Sequence, residues 1–422
     1  MYKNLSQEEL AEVKIQLENE YQTFKNKGLK LDMSRGKPSS EQLDLSTGLL
    51  NSLEGVKSAD GTDCRNYGGL DGIKEMKELF ASILDVETEN VIVGGNSSLN
   101  MMYDAIAKAM LLGTLDSEKP WCKEEKIKWL CPSPGYDRHF AICEHFGIEM
   151  ITVENINGEP DMDKIEELVS SDEAIKGIWC VPIYSNPEGT TYSDDTVRRM
   201  ARLKPKAKDF RIFWDCAYII HHLSDTPDKL LNLLEECKAT DNPNMVYMFA
   251  STSKITFAGS GVAVMVASKE NVDFLKKQIS IQTIGPDKIN QLRHTQFLGD
   301  LDGVIAHMEK LRASLEPKFD AVLEILDKEI APLGIGQWNK PNGGYFISFN
   351  GLEGCAKRIV ALAKEAGLVI TPAGATYPYG NDENDSNIRI APSVPPISEL
   401  KEAVELLCVC IKLASCESLL SN

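Results

Sequence analysis

One lysine stands between two apolar runs. In "FASTSKITFAGSG", residues 249–261, Lys254 follows Val246-Tyr247-Met248-Phe249-Ala250 and precedes Val262-Ala263-Val264-Met265-Val266, with Ser251, Thr252, Ser253 and Ser260 around it. A surface lysine is solvated and inert, but one held between buried strands is desolvated. Its pKa falls, and the free amine can attack a carbonyl carbon to form a Schiff base. A second chemical position is Asp215, which ends the apolar run of "RIFWDCAY" with Tyr218 three residues on. A carboxylate there is costly unless paired, so it either caps the next segment or accepts from a cation such as a protonated ring nitrogen. Arg389 lies inside the short apolar strand of "SNIRIAPS" and needs a carboxylate partner, which its planar fork can hold through two parallel bonds. That partner is either structural or a ligand.

Three further positions sit where short apolar runs end. Asn96-Ser97-Ser98 follow "VIVGG" and open a helix, where free N–H groups and the helix dipole suit an anion, or where the serines merely cap. This is neither a G-x-G-x-x-G nor a P-loop pattern. Asn186 follows a buried run in "VPIYSNPEG", where Asn-Pro also reads as a plain turn. Tyr136 follows "CPSPG", either as an aromatic platform or as core.

These positions need a scaffold that brings strand ends together. Residues 5–27 read as a charged helix opened by Ser6 and Glu9. From about 90 to 266 seven short apolar runs alternate with helical segments, the rhythm of an α/β domain with a mostly parallel, buried seven-stranded sheet flanked by helices. Each run is ended by Gly, Pro, Ser or Asn, and in an open parallel sheet ligands sit at the carboxyl ends of the strands. After about 305 helices and strands follow an α+β order, including a long helix broken or kinked at Pro317. The expected division is a large domain over 51–305 and a smaller α+β domain built from both chain ends, 1–50 and 306–422.

Composition narrows the partners. The 422 residues carry 45 basic and 63 acidic side chains, a net charge of −18, which disfavours nucleic acid and anionic membrane surfaces. No apolar run approaches the roughly 20 residues that span a bilayer. The start, "MYKNLSQEELAEVK", lacks the pattern of a signal peptide. Eleven scattered cysteines without a C-x-x-C pair read as free thiols of a cytoplasmic protein, with no metal site.

Each signal is weak alone, but their order and spacing resemble the fold-type I pyridoxal-phosphate aminotransferases, from "SRGKP" to the final helix. The likeness is strongest to the MocR-type group that includes type Ic aspartate aminotransferases. The resemblance implies that Lys254 forms the internal aldimine with pyridoxal 5'-phosphate and later shuttles the substrate proton. It implies that Asp215 pairs with the ring N–H, that Asn186 and Tyr218 bond the phenolic oxygen, and that Tyr136 stacks on the ring. Asn96, Ser97, Ser98 and Ser251 would cradle the phosphate, with Tyr67 reaching the site of a neighbouring subunit, hence a homodimer with shared sites. Arg389, helped by Gly36 and Asn186, would clamp the substrate carboxylate. The implied reaction exchanges an amino group between an amino acid, with an acidic donor preferred, and a 2-oxo acid. Two alternatives stand beside it: elimination or decarboxylation on the same cofactor, and a non-catalytic ligand sensor. For a second substrate carboxylate, Arg35, Lys37, Lys288 and Arg293 are the candidate cations. One departure stands out. The arginine that many members carry after the lysine is absent from "KITFAGSGVAV", and no arginine lies between Arg211 and Arg293.

Overall fold

The computed structural model describes residues 1–421. In chain order its strands are β1 (Leu31–Asp32), β2 (Val91–Val93), β3 (Lys128–Ser133), β4 (Glu149–Ile156), β5 (Glu159–Pro160), β6 (Ile175–Cys180), β7 (Arg211–Asp215), β8 (Val246–Ser251), β9 (Ala263–Val266), β10 (Gly336–Trp338), β11 (Ile347–Gly351), β12 (Leu368–Val369) and β13 (Asn387–Ile390). The main sheet runs β2-β9-β8-β7-β6-β3-β4-β5. The pairs β8-β7, β7-β6, β6-β3 and β3-β4 are parallel. Antiparallel β9 and β2 close one edge. All seven apolar runs are strands. An eighth, the two-residue β5, folds back on β4, and its Glu159-Pro160 pair is too short and polar to register as an apolar run.

Successive residues of the central strands face opposite sides, as the pleat requires. Ile178, Ile212, Trp214, Val246 and Met248 join one buried cluster, while Trp179, Phe213, Tyr247 and Phe249 join the other. Burial on both faces explains why these strands read as continuous apolar runs rather than alternating ones. A third cluster gathers Leu10, Leu17 and Phe24 from the first helix with Phe319, Ile347, Ile390 and Leu407 from the last hundred residues or so. Around it lie the antiparallel sheet β10-β11-β13 and the parallel pair β1-β12, which joins residue 31 to residue 368.

The first helix, Gln7–Asn26, begins as its sequence prescribes. Glu9 N–H donates to Ser6 Oγ at 3.2 Å and Ser6 N–H to Glu9 Oε2 at 2.7 Å. The long helix is not broken at Pro317: Leu301–Glu329 runs through it as one element. Leu311 and Leu315 before the proline and Phe319, Val322 and Leu326 after it are all buried. Burying five such side chains gains about 1.5–3 kcal/mol each, which outweighs a local proline cost of about 3 kcal/mol.

Candidate active site

The carboxyl ends of the parallel strands assemble the site. Asp215 is the last residue of β7 and is 3 % exposed. Its Oδ2 lies 3.1 Å from His139 Nε2. A carboxylate only accepts, so the imidazole donates. The His139 ring is stacked on Trp179 at 4.4 Å, which fixes its plane. Asp215 Oδ1 is buried and has no partner among the described residues. A buried carboxylate oxygen without a donor is rare and fits a ring N–H placed against it.

Lys254 follows β8 in a tight turn, where Ile255 and Thr256 N–H both donate to Thr252 O at 2.9 Å. Thr252 is a structural member of the hydroxyl group. Its Oγ1 accepts from Val262 N–H at 2.9 Å and from Thr256 Oγ1 at 3.2 Å, pinning the loop after the lysine. Lys254 is half-buried, with Nζ 4.8 Å from the centre of the Tyr218 ring. Desolvation holds its pKa below the ordinary lysine value, and the Asp215 charge opposes that fall only in part. Burial also pushes Tyr136 up to about 12, with the Asp215 charge adding to it. His221 lies near the same lysine. Burial and then the Lys254 charge depress it to about 3, so it is neutral.

The anion cradle is built from two loops. Ser251 Oγ donates to Ser253 Oγ at 3.1 Å, and Ser253 Oγ donates to Asn96 O at 3.3 Å. Ser97 is the N-cap of the helix Ser98–Leu112, yet its hydroxyl makes no capping bond. Among the described residues the hydroxyls of Ser97 and Ser98 have no partner, and with the first-turn N–H groups they can serve an anion. The loop that lacks an arginine packs on this cradle. A Cβ at Gly261 would lie 3.3 Å from Asn96 O. Arg293 reaches that loop from the helix Lys288–Leu298: its Nη2 donates to Ser260 Oγ at 3.2 Å, and its buried Nε has no partner among the described residues.

Arg389, in β13, closes the opposite side. It is 7 % exposed. Its Nη1 donates to Asn186 Oδ1 at 3.1 Å and to Asp137 Oδ1 at 2.7 Å, and its Nε donates to Thr371 Oγ1 at 3.3 Å. The guanidinium carbon sits 5.0 Å from the centre of the Phe346 ring. Gly36 approaches that ring so closely that a Cβ would lie 2.3 Å from it. Only glycine lets the "SRGKP" segment pass here.

Of the residues singled out in sequence, Lys254, Asp215, Tyr218, Tyr136, Asn186 and Arg389 converge, with Ser251 and Asn96 to Ser98 beside them. Tyr67 does not join them. It is 81 % exposed, on a loop whose Gly68 carbonyl accepts from Lys288 Nζ at 2.6 Å. Arg35 and Lys37 are exposed. His139, Asp137, Thr371 and Phe346 escaped sequence reading. His139 alone left a signal: it follows Tyr136 by three residues at a helix start, so both rings face one way, with centroids 4.9 Å apart.

A lysine of lowered pKa and a buried acid with an unpartnered acceptor at the carboxyl ends of β8 and β7, faced by a paired guanidinium from β13, suit pyridoxal-phosphate chemistry on amino acids. Comparison with known proteins agrees. The aspartate amino-transferase family model matches residues 5–422. The aspartate aminotransferase of Corynebacterium glutamicum is 48% identical over 404 residues, covering 95% of this chain and 93% of that one. The crystal structure of an aspartate transaminase from the same organism superposes with a TM-score of 0.97 at 46% identity, covering 99% of both chains. An alpha-aminoadipate aminotransferase from Thermus thermophilus, complexed with N-(5'-phosphopyridoxyl)-L-leucine, shares the fold with a TM-score of 0.73 at 20% identity, over 92% of this chain and 93% of its own. The class is therefore the fold-type I aminotransferases, enzymes that exchange an amino group between an amino acid and a 2-oxo acid with pyridoxal 5'-phosphate as cofactor. Within it, this chain belongs to the aspartate aminotransferase family.

Proposed function

We propose that the chain transfers the amino group of aspartate to a 2-oxo acid. The observation that carries the reading is the unpartnered Oδ1 of buried Asp215, on the sheet edge that also holds the low-pKa Lys254. The 48% identity to an aspartate aminotransferase supports the acidic donor. When bound, pyridoxal phosphate supplies an electron sink for the charge left on the substrate Cα.

Each residue then has a task. Lys254 Nζ would hold the cofactor covalently, and its free amine would take the proton from the substrate Cα. Desolvation lowers its pKa, which favours the free amine that this step needs. Asp215 Oδ1 accepts the ring N–H, and the His139 bond to Oδ2 keeps the carboxylate aimed. Tyr218 and Asn186 bond the phenolic oxygen, and Tyr136 covers a ring face. Asn96, Ser97, Ser98, Ser251 and Ser253 hold the phosphate. Arg293 is the cation that the loop after the lysine lacks, acting with Ser260. Arg389 binds the substrate α-carboxylate, with Gly36 and Phe346 as its floor.

At the level of the assembly, the reading is a cytoplasmic homodimer in which Tyr67 reaches the partner's phosphate. All 11 cysteines are free, in keeping with a reducing compartment. Residues 51–305 form the cofactor domain, and 1–50 with 306–422 form the domain that brings Arg389 to it. The test is a donor screen with 2-oxoglutarate and product analysis. Aspartate or glutamate should turn over fastest and yield keto acid without ammonia or CO2. Faster turnover of aromatic or branched donors would overturn the acidic-donor reading.

A further inference from the structure

We infer that Asp137 is a resting occupant of Arg389, a built-in carboxylate that the substrate carboxylate displaces. The inference rests on the role of Arg389 proposed above.

The donor inventory of the guanidinium leads to it. Arginine offers five N–H donors, and a carboxylate takes two parallel ones from neighbouring nitrogens. Here Nη1 serves Asp137 at 2.7 Å and Asn186 at 3.1 Å, and Nε serves Thr371 at 3.3 Å. Only Nη2 makes no bond among the described residues. A two-point carboxylate must therefore approach at the Nε/Nη2 edge or the Nη1/Nη2 end.

These approaches differ in what blocks them. Thr371 is buried, and its hydroxyl is tied to Ser34 O at 2.9 Å, so the Nε edge is closed by a fixed group. At the other end, Nη1 carries two acceptors: Asn186, which is buried, and Asp137, the one charged group, whose side chain is 33% exposed and can swing to solvent. Asp137 is also the first residue of the helix Asp137–Phe146. The positive end of the helix dipole stabilises its charge after it leaves.

Charge balance gives the occupant its purpose. Arg389 is 7 % exposed, and a buried guanidinium left without a counter-ion is strongly destabilising. Asp137 keeps it paired between turnovers, and substrate binding exchanges one anion for another. The exchange also sets a threshold. A ligand with an amine but no carboxylate cannot open the site, and every ligand that does open it binds more weakly than it would to an unoccupied Arg389.

The test uses the full-length holoenzyme and maleate, an unreactive dicarboxylate, followed by cofactor absorbance. Asp137→Asn should bind maleate several-fold to about tenfold more tightly, because the fraction of Arg389 ready to bind rises. The KM for aspartate should fall by the same factor, with the change carried in KM rather than kcat. Asp137→Ala should move both quantities in the same direction. Weaker or unchanged maleate binding in the two variants, each with an intact cofactor spectrum, overturns the inference and leaves Asp137 as a strut for Arg389. Arg389→Lys separates the two layers. If it weakens maleate binding while the Asp137 variants fail to tighten it, only the displaced-carboxylate idea falls. If it leaves maleate binding unchanged, the role of Arg389 falls as well.

Discussion

Single side chains decide the chemistry through their unpaired atoms. Asp215 shows the logic: one oxygen is held by His139 and the other is free. Asp215→Asn keeps the shape but removes the charge, and kcat should fall by roughly 10²–10³-fold in half-reaction kinetics with bound cofactor retained. Arg293→Gln should weaken cofactor affinity by about tenfold, the worth of a charge-assisted bond, when apoenzyme is titrated with pyridoxal phosphate. A third residue acts on stability. Burial raises Glu188 to about 7 from 4.5, and a hydrogen bond from Asn155 offsets this only in part. A raised carboxyl binds its proton more tightly in the fold than in the unfolded chain. Its contribution is full below about pH 4.5 and is lost as pH rises through 7, a change of roughly 3 kcal/mol. Denaturant melts at pH 5 and 8 should show that loss, and Glu188→Gln should largely remove it. Lys254, Asp215, Asn186 and Arg389 were legible in the sequence because each is a polar residue at the end of, or inside, an apolar run. Asp137 and Thr371 were not, since their meaning comes from meeting Arg389, 252 and 18 residues away in the chain. Arg293 was visible only as a candidate for a second substrate carboxylate, because nothing local ties it to Ser260.

Local sequence fixes most of the elements, and tertiary burial decides the exceptions. The capping box of the first helix is a local device. Ser6→Ala should cost about 1 kcal/mol in a denaturant melt and leave turnover unchanged. Pro317 is the counter-case: the local rule predicts a break or a kink, and the buried residues on both sides keep Leu301–Glu329 from breaking. The seven apolar runs were readable because double-sided burial leaves a simple signature. The strand order was not, because it depends on which crossovers return to which edge. β9 pairs antiparallel with both β8 and β2 at that edge, an arrangement its own apolar pattern does not encode.

At the scale of the whole molecule, the crevice draws on both chain ends. The segment Ser34 to Lys37, the strand of Arg389 and the carboxyl edge of the main sheet meet through Thr371, Phe346 and Asn186. Such long-range convergence is what family resemblance supplied and residue patterns alone did not. The central claim is that one lysine of lowered pKa holds the cofactor and moves the substrate proton. Its most direct test is the long-wavelength absorbance of purified holoenzyme mixed with aspartate in a single turnover, compared with that of Lys254→Ala. The wild-type spectrum should shift to that of the aminated cofactor as oxaloacetate appears, and Lys254→Ala should lack both the starting band and the keto acid. A starting band and keto acid production that survive in Lys254→Ala would contradict the account.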